Sequence, residues 1–227
     1  MSASPDTPEV VDPAAASPVA PGLGDQYDTY ARQHRARLFG MWVFLVSELL
    51  IFAGLFSLYA AYRAEYGADF AAGIEHNNAT YGTINTLVLI TSSFTVAAAV
   101  HAVRGGRTRT AARLLYVTIA IGAVFLVIKG LEYSTHLHEG FAPGPYYSNT
   151  ELPQFGARMF FTLYYIATGL HGLHVVVGLG LLAFVAWKAH RLRYDEYHHV
   201  GVEMAGLYWH LVDVIWIFLW PVLYLMG

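Results

Sequence analysis

The chain contains no cysteine. A disulfide framework, a thiolate metal site and a thiolate nucleophile are therefore excluded. Charge is scarce as well. Only 13% of the 227 residues are Asp, Glu, Lys or Arg, about half the ~25% usual in soluble domains. The net charge of −3 leaves no basic field to attract nucleic acid. The first thirty residues lack Lys and Arg altogether, so they offer no basic start to a secretory signal. They are rich in Pro, Ala and acid and have no continuous apolar run. They read as a disordered tail, residues 1–30, ahead of a single membrane domain, residues 31–227.

Apolar residues are what the chain has in abundance. It is 56% hydrophobic and 15% aromatic, with a mean hydropathy of +0.43. A hydrocarbon core of about 30 Å is crossed by about 20 residues of helix. Five segments qualify: Leu38 to Tyr62, Tyr81 to Val103, Ala112 to Tyr133, Met159 to Lys188 and Val202 to Met226. The predicted class is an all-α, multi-pass membrane protein, a bundle of five transmembrane helices. Loop charge predicts its orientation. Arg32, Arg35 and Arg37 precede the first span, and Arg104, Arg107, Arg109 and Arg113 follow the second. Lys188, Arg191 and Arg193 follow the fourth, so ten of the 13 basic residues lie on one side. By the positive-inside rule the N-terminus is cytoplasmic and the C-terminus external.

Ionisable residues interrupt the spans. Glu48 stands about 15 Å into the first by helical rise, and Asp213 about as far into the fifth, with His210 one turn shallower. His171 and His174 enter the fourth span from the other side and reach a similar depth. A charge at membrane depth costs roughly 2.5–3.5 kcal/mol on insertion scales, so these five residues are predicted to form one buried polar layer. Ser47, Ser92 and Ser93 can join it. Gly169, Gly172, Gly178 and Gly180 are expected to let the fourth span approach its neighbours closely.

Such a layer can be a proton path, a haem site, a metal site or a hydrogen-bonded cluster that fixes helix packing. A packing cluster is the commonest of these, and a proton-related role falls most naturally on Glu48. The ligand sets are incomplete, so no catalytic, cofactor or metal residue is assigned. Lys129 and Glu132 read as an interfacial ion pair near the outer end of the third span. The run His136, Leu137, His138, Glu139 reads as solvated external loop, as do His198 and His199 on the inner side. The stretch 134–154 reads as irregular and open to a partner. No inverted repeat or broken helix pair favours a free-standing transporter or channel, which is the competing class.

Five segments together resemble subunit III of haem-copper terminal oxidases. They are GMWVFLVSELLIFAGLF around Glu48, NTLVLITSS from Asn85 to Ser93, and LEY from Leu131 to Tyr133. The others are ATGLHGLHVVVG with His171 and His174, and YWHLVDVIWIFLWPVLYL with His210 and Asp213. The resemblance runs from about Arg35 to Gly227 and fits the five-helix bacterial form, which lacks the first two of the mitochondrial seven helices. It implies a non-catalytic core subunit of a respiratory cytochrome c oxidase in the bacterial cytoplasmic membrane. Such a subunit packs directly on subunit I, assembles with subunit II and others, and supports proton uptake. It carries no redox centre of its own, since haem and copper belong to the partner subunits, and it binds phospholipid. In the family the acid at the position of Glu48 is the carbodiimide-reactive glutamate. The same resemblance extends to ubiquinol oxidase subunit III and to an accessory subunit of nitric oxide reductase.

Overall fold

Backbone groups in lipid have no water to bond, so a chain this apolar satisfies them within helices. The computed structural model describes residues 29–191 and 200–227. The predicted tail, apart from Thr29 and Tyr30, falls outside these residues, as do Arg193, His198 and His199. Among the described residues there are six α-helices, a 3-10 turn at Gly144–Tyr146, and no strand. The helices are α1 (Tyr30–Glu65), α2 (Gly67–Glu75), α3 (Ala79–Arg104), α4 (Thr108–His138), α5 (Phe155–His190) and α6 (Val200–Tyr224). All but α2 are long and apolar enough to cross a membrane. Four predicted spans fall inside α1, α3, α4 and α5. The fifth overshoots α6 by two residues, because Leu225 and Met226 turn back to bond the Pro221 carbonyl.

The short helix α2 was not anticipated. Nine residues cannot span a bilayer, but GADFAAGIE buries Phe70, Gly73 and Ile74 on one side. Asp69 of α2 accepts a hydrogen bond from the Gly156 amide at 3.1 Å, capping the start of α5. A Cβ on Gly156 would meet Asp69 Oδ2 at 2.5 Å and Tyr66 Cβ at 2.6 Å, so only glycine permits this joint. Asn78 starts α3 by accepting from the amides of Thr80 and Tyr81 at 3.0 and 3.3 Å.

Residues 41–227 form one compact unit. Within this unit α3 packs on α4 and α6, and α5 packs on α4 and α6, closing a four-helix ring. Trp209 and Trp216 fill it, both fully buried. Their indoles are stitched to α3, Trp209 Nε1 to Ser92 Oγ at 2.9 Å and Trp216 Nε1 to Thr86 Oγ1 at 3.1 Å. The small residues that accommodate Trp209 are Gly122 and Gly178, where an added Cβ would meet the indole at 2.8 and 2.9 Å. The expectation for the other three glycines of α5 is corrected. At Gly169 the nearest atom would be Tyr133 Oη at 3.8 Å, while Gly172 and Gly180 face open space.

The helix ends fix the threading. Arg104 at the end of α3 pairs with Glu203 at the start of α6, Nε to Oε1 at 2.6 Å. At the opposite face Tyr59 donates to the Val222 carbonyl at 2.9 Å, Asn77 to the Leu223 carbonyl at 2.8 Å, and Arg63 to the Met226 carbonyl. The arginine-rich α3–α4 turn and the acid-containing α1–α2 segment therefore lie on opposite faces.

Candidate functional site

The five polar residues predicted to form one layer divide into three separate places. On the α1–α5 side, His174 Nε2 lies 2.9 Å from Glu48 Oε2. The other ring nitrogen bonds the Leu170 carbonyl at 2.8 Å. A ring with both nitrogens engaged is fixed in orientation. The pair is only partly covered: the Glu48 side chain is 17% exposed. Phe52 packs edge-on against the His174 ring, with centroids 5.3 Å apart.

His171, one turn earlier on α5, has no part in that pair. It is fully buried and neither ring nitrogen has a hydrogen-bond partner. Its ring sits between Phe125 and Trp216, at centroid distances of 5.5 and 5.2 Å. It is a packing element of an aromatic core.

The third place joins α3 and α6. Ser93 Oγ lies 2.7 Å from His210 Nδ1, so the partner of His210 is a serine of α3 and not a histidine of α5. Asp213 is 3% exposed, and neither carboxyl oxygen makes a hydrogen bond. Ser93 is the polar side chain beside this carboxyl, and its hydroxyl also meets the imidazole. The predicted polar layer thus leaves the Asp213 carboxyl without a hydrogen bond of good geometry among the described residues. Ser47 does not join any layer; it is exposed and bonds the Phe44 carbonyl of its own helix at 2.6 Å.

The most extensive polar cluster lies elsewhere, and its pattern in sequence was misread. Lys129 and Glu132 are 6% and 1% exposed, a buried pair and not an interfacial one. Lys129 Nζ donates to Glu132 Oε2 at 3.1 Å, to Tyr164 Oη at 2.9 Å and to Tyr224 Oη at 2.8 Å. Both phenols donate in turn to Glu132 Oε1, at 2.8 and 2.6 Å. Every acceptor and donor of the pair is met from α4, α5 and α6, as a buried ion pair requires. The signal available in sequence was an acid and a base at i, i+3 inside an apolar run; the two tyrosines lie too far along the chain to be assigned from spacing.

His136 is also corrected. It belongs to the last turn of α4 and is 2% exposed, caged by Phe141, Phe161 and Tyr164. His138 and Glu139 are exposed, but His138 belongs to the last turn of α4 and Glu139 caps it, so neither lies in the predicted loop proper. The segment that follows is more ordered than predicted. Asn149 accepts from the amides of Glu151 and Leu152, both at 2.9 Å, and donates to the Glu139 carbonyl at 2.8 Å. The Tyr147 phenol, pushed up by burial, donates to the Leu152 carbonyl at 2.7 Å.

Among the described residues, no three His, Asp, Glu or Cys side chains converge on one point. The geometry supplies paired and caged polar groups inside a membrane bundle, with an open, largely apolar cleft between α3 and α6 that Ser93, His210 and Asp213 help to line. Residues 26–227 match the family of cytochrome c oxidase subunit III. The chain belongs to that family. It is 38% identical over 191 residues to cytochrome c oxidase subunit 3 of Thermostichus vulcanus, covering 84% of this chain and 87% of that one. It is 35% identical to cytochrome c oxidase subunit 3 of Synechocystis sp., covering 84% and 76%. It is 30% identical to the probable cytochrome c oxidase subunit 3 of Nocardia farcinica, covering 82% and 85%. The subunit III match includes all five spanning helices and every residue of the polar places described above.

Proposed function

We propose that this chain is a structural subunit of a cytochrome c oxidase in a bacterial cytoplasmic membrane. It holds no redox centre, packs on the haem- and copper-bearing subunit I, and keeps that subunit active during turnover. The observation that carries the reading is the subunit III match across residues 26–227 on a bundle with five spanning helices. Its N-terminus faces the cytoplasm. The arginines at the α3–α4 turn and at the end of α5 lie on the face where Arg104 meets Glu203, and positive charge is retained on the cytoplasmic side.

The polar groups suit support better than chemistry. Glu48 and His174 engage each other, His171 is packed as an aromatic ring, and the Lys129 network is closed. Glu48 is the acid best placed to exchange protons with its surroundings, because its carboxyl is the least covered of the spanning carboxylates described above. Bound phospholipid belongs on the outer apolar faces. The gap enclosed between α1, α5 and α6, lined by Phe52, Leu55, Tyr59 and Leu163, holds only about 10 Å³, room for about one water molecule.

An affinity tag on this chain tests the proposal. Purification from membranes in mild detergent should bring down a haem-bearing complex that oxidises cytochrome c. Tagged chain recovered without haem would refute the reading. Complexes stripped of the chain should begin turnover at a near-normal rate at low pH, take up protons more slowly at high pH, and inactivate sooner.

A further inference from the structure

Between α3 and α6 the bundle has an open cleft of about 430 Å³, lined by Ile90, Ser93, Phe94, His210, Asp213 and Ile217, among others. Its rim is apolar and turned outward: Phe94 is 72% exposed and Ile217 43%. Its base is polar. His210 spends Nδ1 on Ser93, and its Nε2 has no partner among the described residues and is not closed off. Asp213 lines the same cleft and neither of its oxygens has a hydrogen bond of good geometry. Pro221 adds to the deficit, because it has no N–H to offer the Ile217 carbonyl four residues back.

Depth decides what can occupy this cleft. Asp213 is thirteen residues into α6, about 20 Å from Val200 and about 17 Å from Tyr224. A lipid headgroup does not reach the middle of the bilayer, and an acyl chain offers the imidazole neither a donor nor an acceptor. Unpaired polar groups in hydrocarbon are costly. Relief at this depth comes from a polar side chain carried on another spanning helix. An imidazole with one nitrogen on a hydroxyl presents the other as donor or acceptor according to its tautomer. A hydroxyl or carboxamide meets both cases.

We infer that the α3–α6 cleft is the seat of a spanning helix from another oxidase subunit, whose hydroxyl- or carboxamide-bearing side chain hydrogen-bonds His210 and closes the cleft over Asp213. The inference rests on the reading of the chain as an oxidase subunit and names the surface through which one partner is held. Failure of the two is distinguishable. Absence of haem in the purified complex refutes the subunit reading; a haem-bearing complex in which the cleft meets no partner refutes only the seat.

The test is photocrosslinking in the assembled oxidase. A benzoylphenylalanine placed at Phe94, and separately at Ile217, is irradiated in native membranes. The expected product joins this chain to a spanning segment of one other oxidase subunit. Adducts with lipid alone, or with a second copy of this chain, would overturn the inference. The polar base is tested by His210→Leu and His210→Gln, with crosslink normalised to the amount of chain in the membrane. The leucine variant should lower the Phe94 crosslink about tenfold, and the glutamine variant should keep most of it. Equal yields in both would mean that the imidazole is not what the partner recognises. If the leucine variant fails to accumulate, the crosslink at Phe94 in the otherwise native chain decides the matter.

Discussion

Replacing Lys129 by Met should be among the most damaging single changes in this bundle, and replacing Glu132 as well should undo much of the damage. The ammonium makes three hydrogen bonds, to Glu132, Tyr164 and Tyr224, at 2.8 to 3.1 Å. Its removal leaves a carboxylate that is 1% exposed. Breaking a buried pair from one side costs about 3–5 kcal/mol, because the remaining charge has lost its counter-ion. The two phenols still donate to Glu132, which places Lys129→Met toward the lower end, about 3 kcal/mol. That is a factor of roughly 150 in the population of properly packed chain, at 1.36 kcal/mol per tenfold. Glu132→Leu should cost a similar amount. It strands a cation, although four aromatic rings lie within 4.8 to 5.5 Å of Nζ to cushion it.

The double variant Lys129→Met, Glu132→Leu removes both charges together. Exchanging a whole buried pair for apolar groups is often neutral or better. The cycle should therefore show strong coupling, with the double variant well above the sum of the singles. The assay is the fraction of this chain that stays with the solubilised oxidase after stepwise heating. Additive losses would refute the argument, since they would mean that the two charges do not compensate each other. Two near-neutral single variants would refute it equally, by showing that water reaches the pair.

Other predictions follow from single contacts. Glu48→Gln should leave the oxidase assembled and turning over, because an amide can replace the carboxylate opposite His174; loss of oxygen reduction in a fully assembled variant would overturn the non-catalytic assignment. Asp69→Ala removes the cap on the Gly156 amide and should cost about 1 kcal/mol, read as earlier thermal release of the chain. Gly178→Leu drives a side chain into Trp209, which an added Cβ alone would meet at 2.9 Å, so the chain should be missing from the purified complex while Gly180→Leu is tolerated. Tyr147→Phe should loosen the 147–152 turn toward proteases at neutral and mildly alkaline pH, where burial keeps the native phenol protonated and donating.

The spans were legible because length and hydropathy act on whole helices, and a helix that must satisfy its own backbone in lipid has few alternatives. The short α2 escaped the same reasoning. Its nine residues are too few for the spanning criterion, and its amphipathic face is defined by what α5 brings to it from ninety residues away. Sequence spacing gives the polar residues a position along each helix and little else. Counting residues at 1.5 Å each assigns Glu48, His174 and Asp213 a height along their helices. It gives no account of which neighbour each would face.

That limit has a geometric origin. Residues at i and i+3 differ by about 300° around a helix axis, which is a 60° turn away from one another. On α5 this is enough to send His171 into the aromatic core beside Trp216 and His174 out to Glu48 on α1. On α6 the same spacing leaves both residues lining the cleft, with Asp213 buried and His210 only partly covered and turned to Ser93 of α3. Lys129 and Glu132 escape the split because Tyr164 and Tyr224 reach across from two other helices and close the angle between them. A polar pair one turn apart is therefore a single site only where neighbouring helices supply groups that bridge it. Where they do not, one member packs inward and the other looks for a partner on the next helix over. At His210 and Asp213 the described chain offers Ser93 alone, which is why the remaining bond is sought outside this subunit.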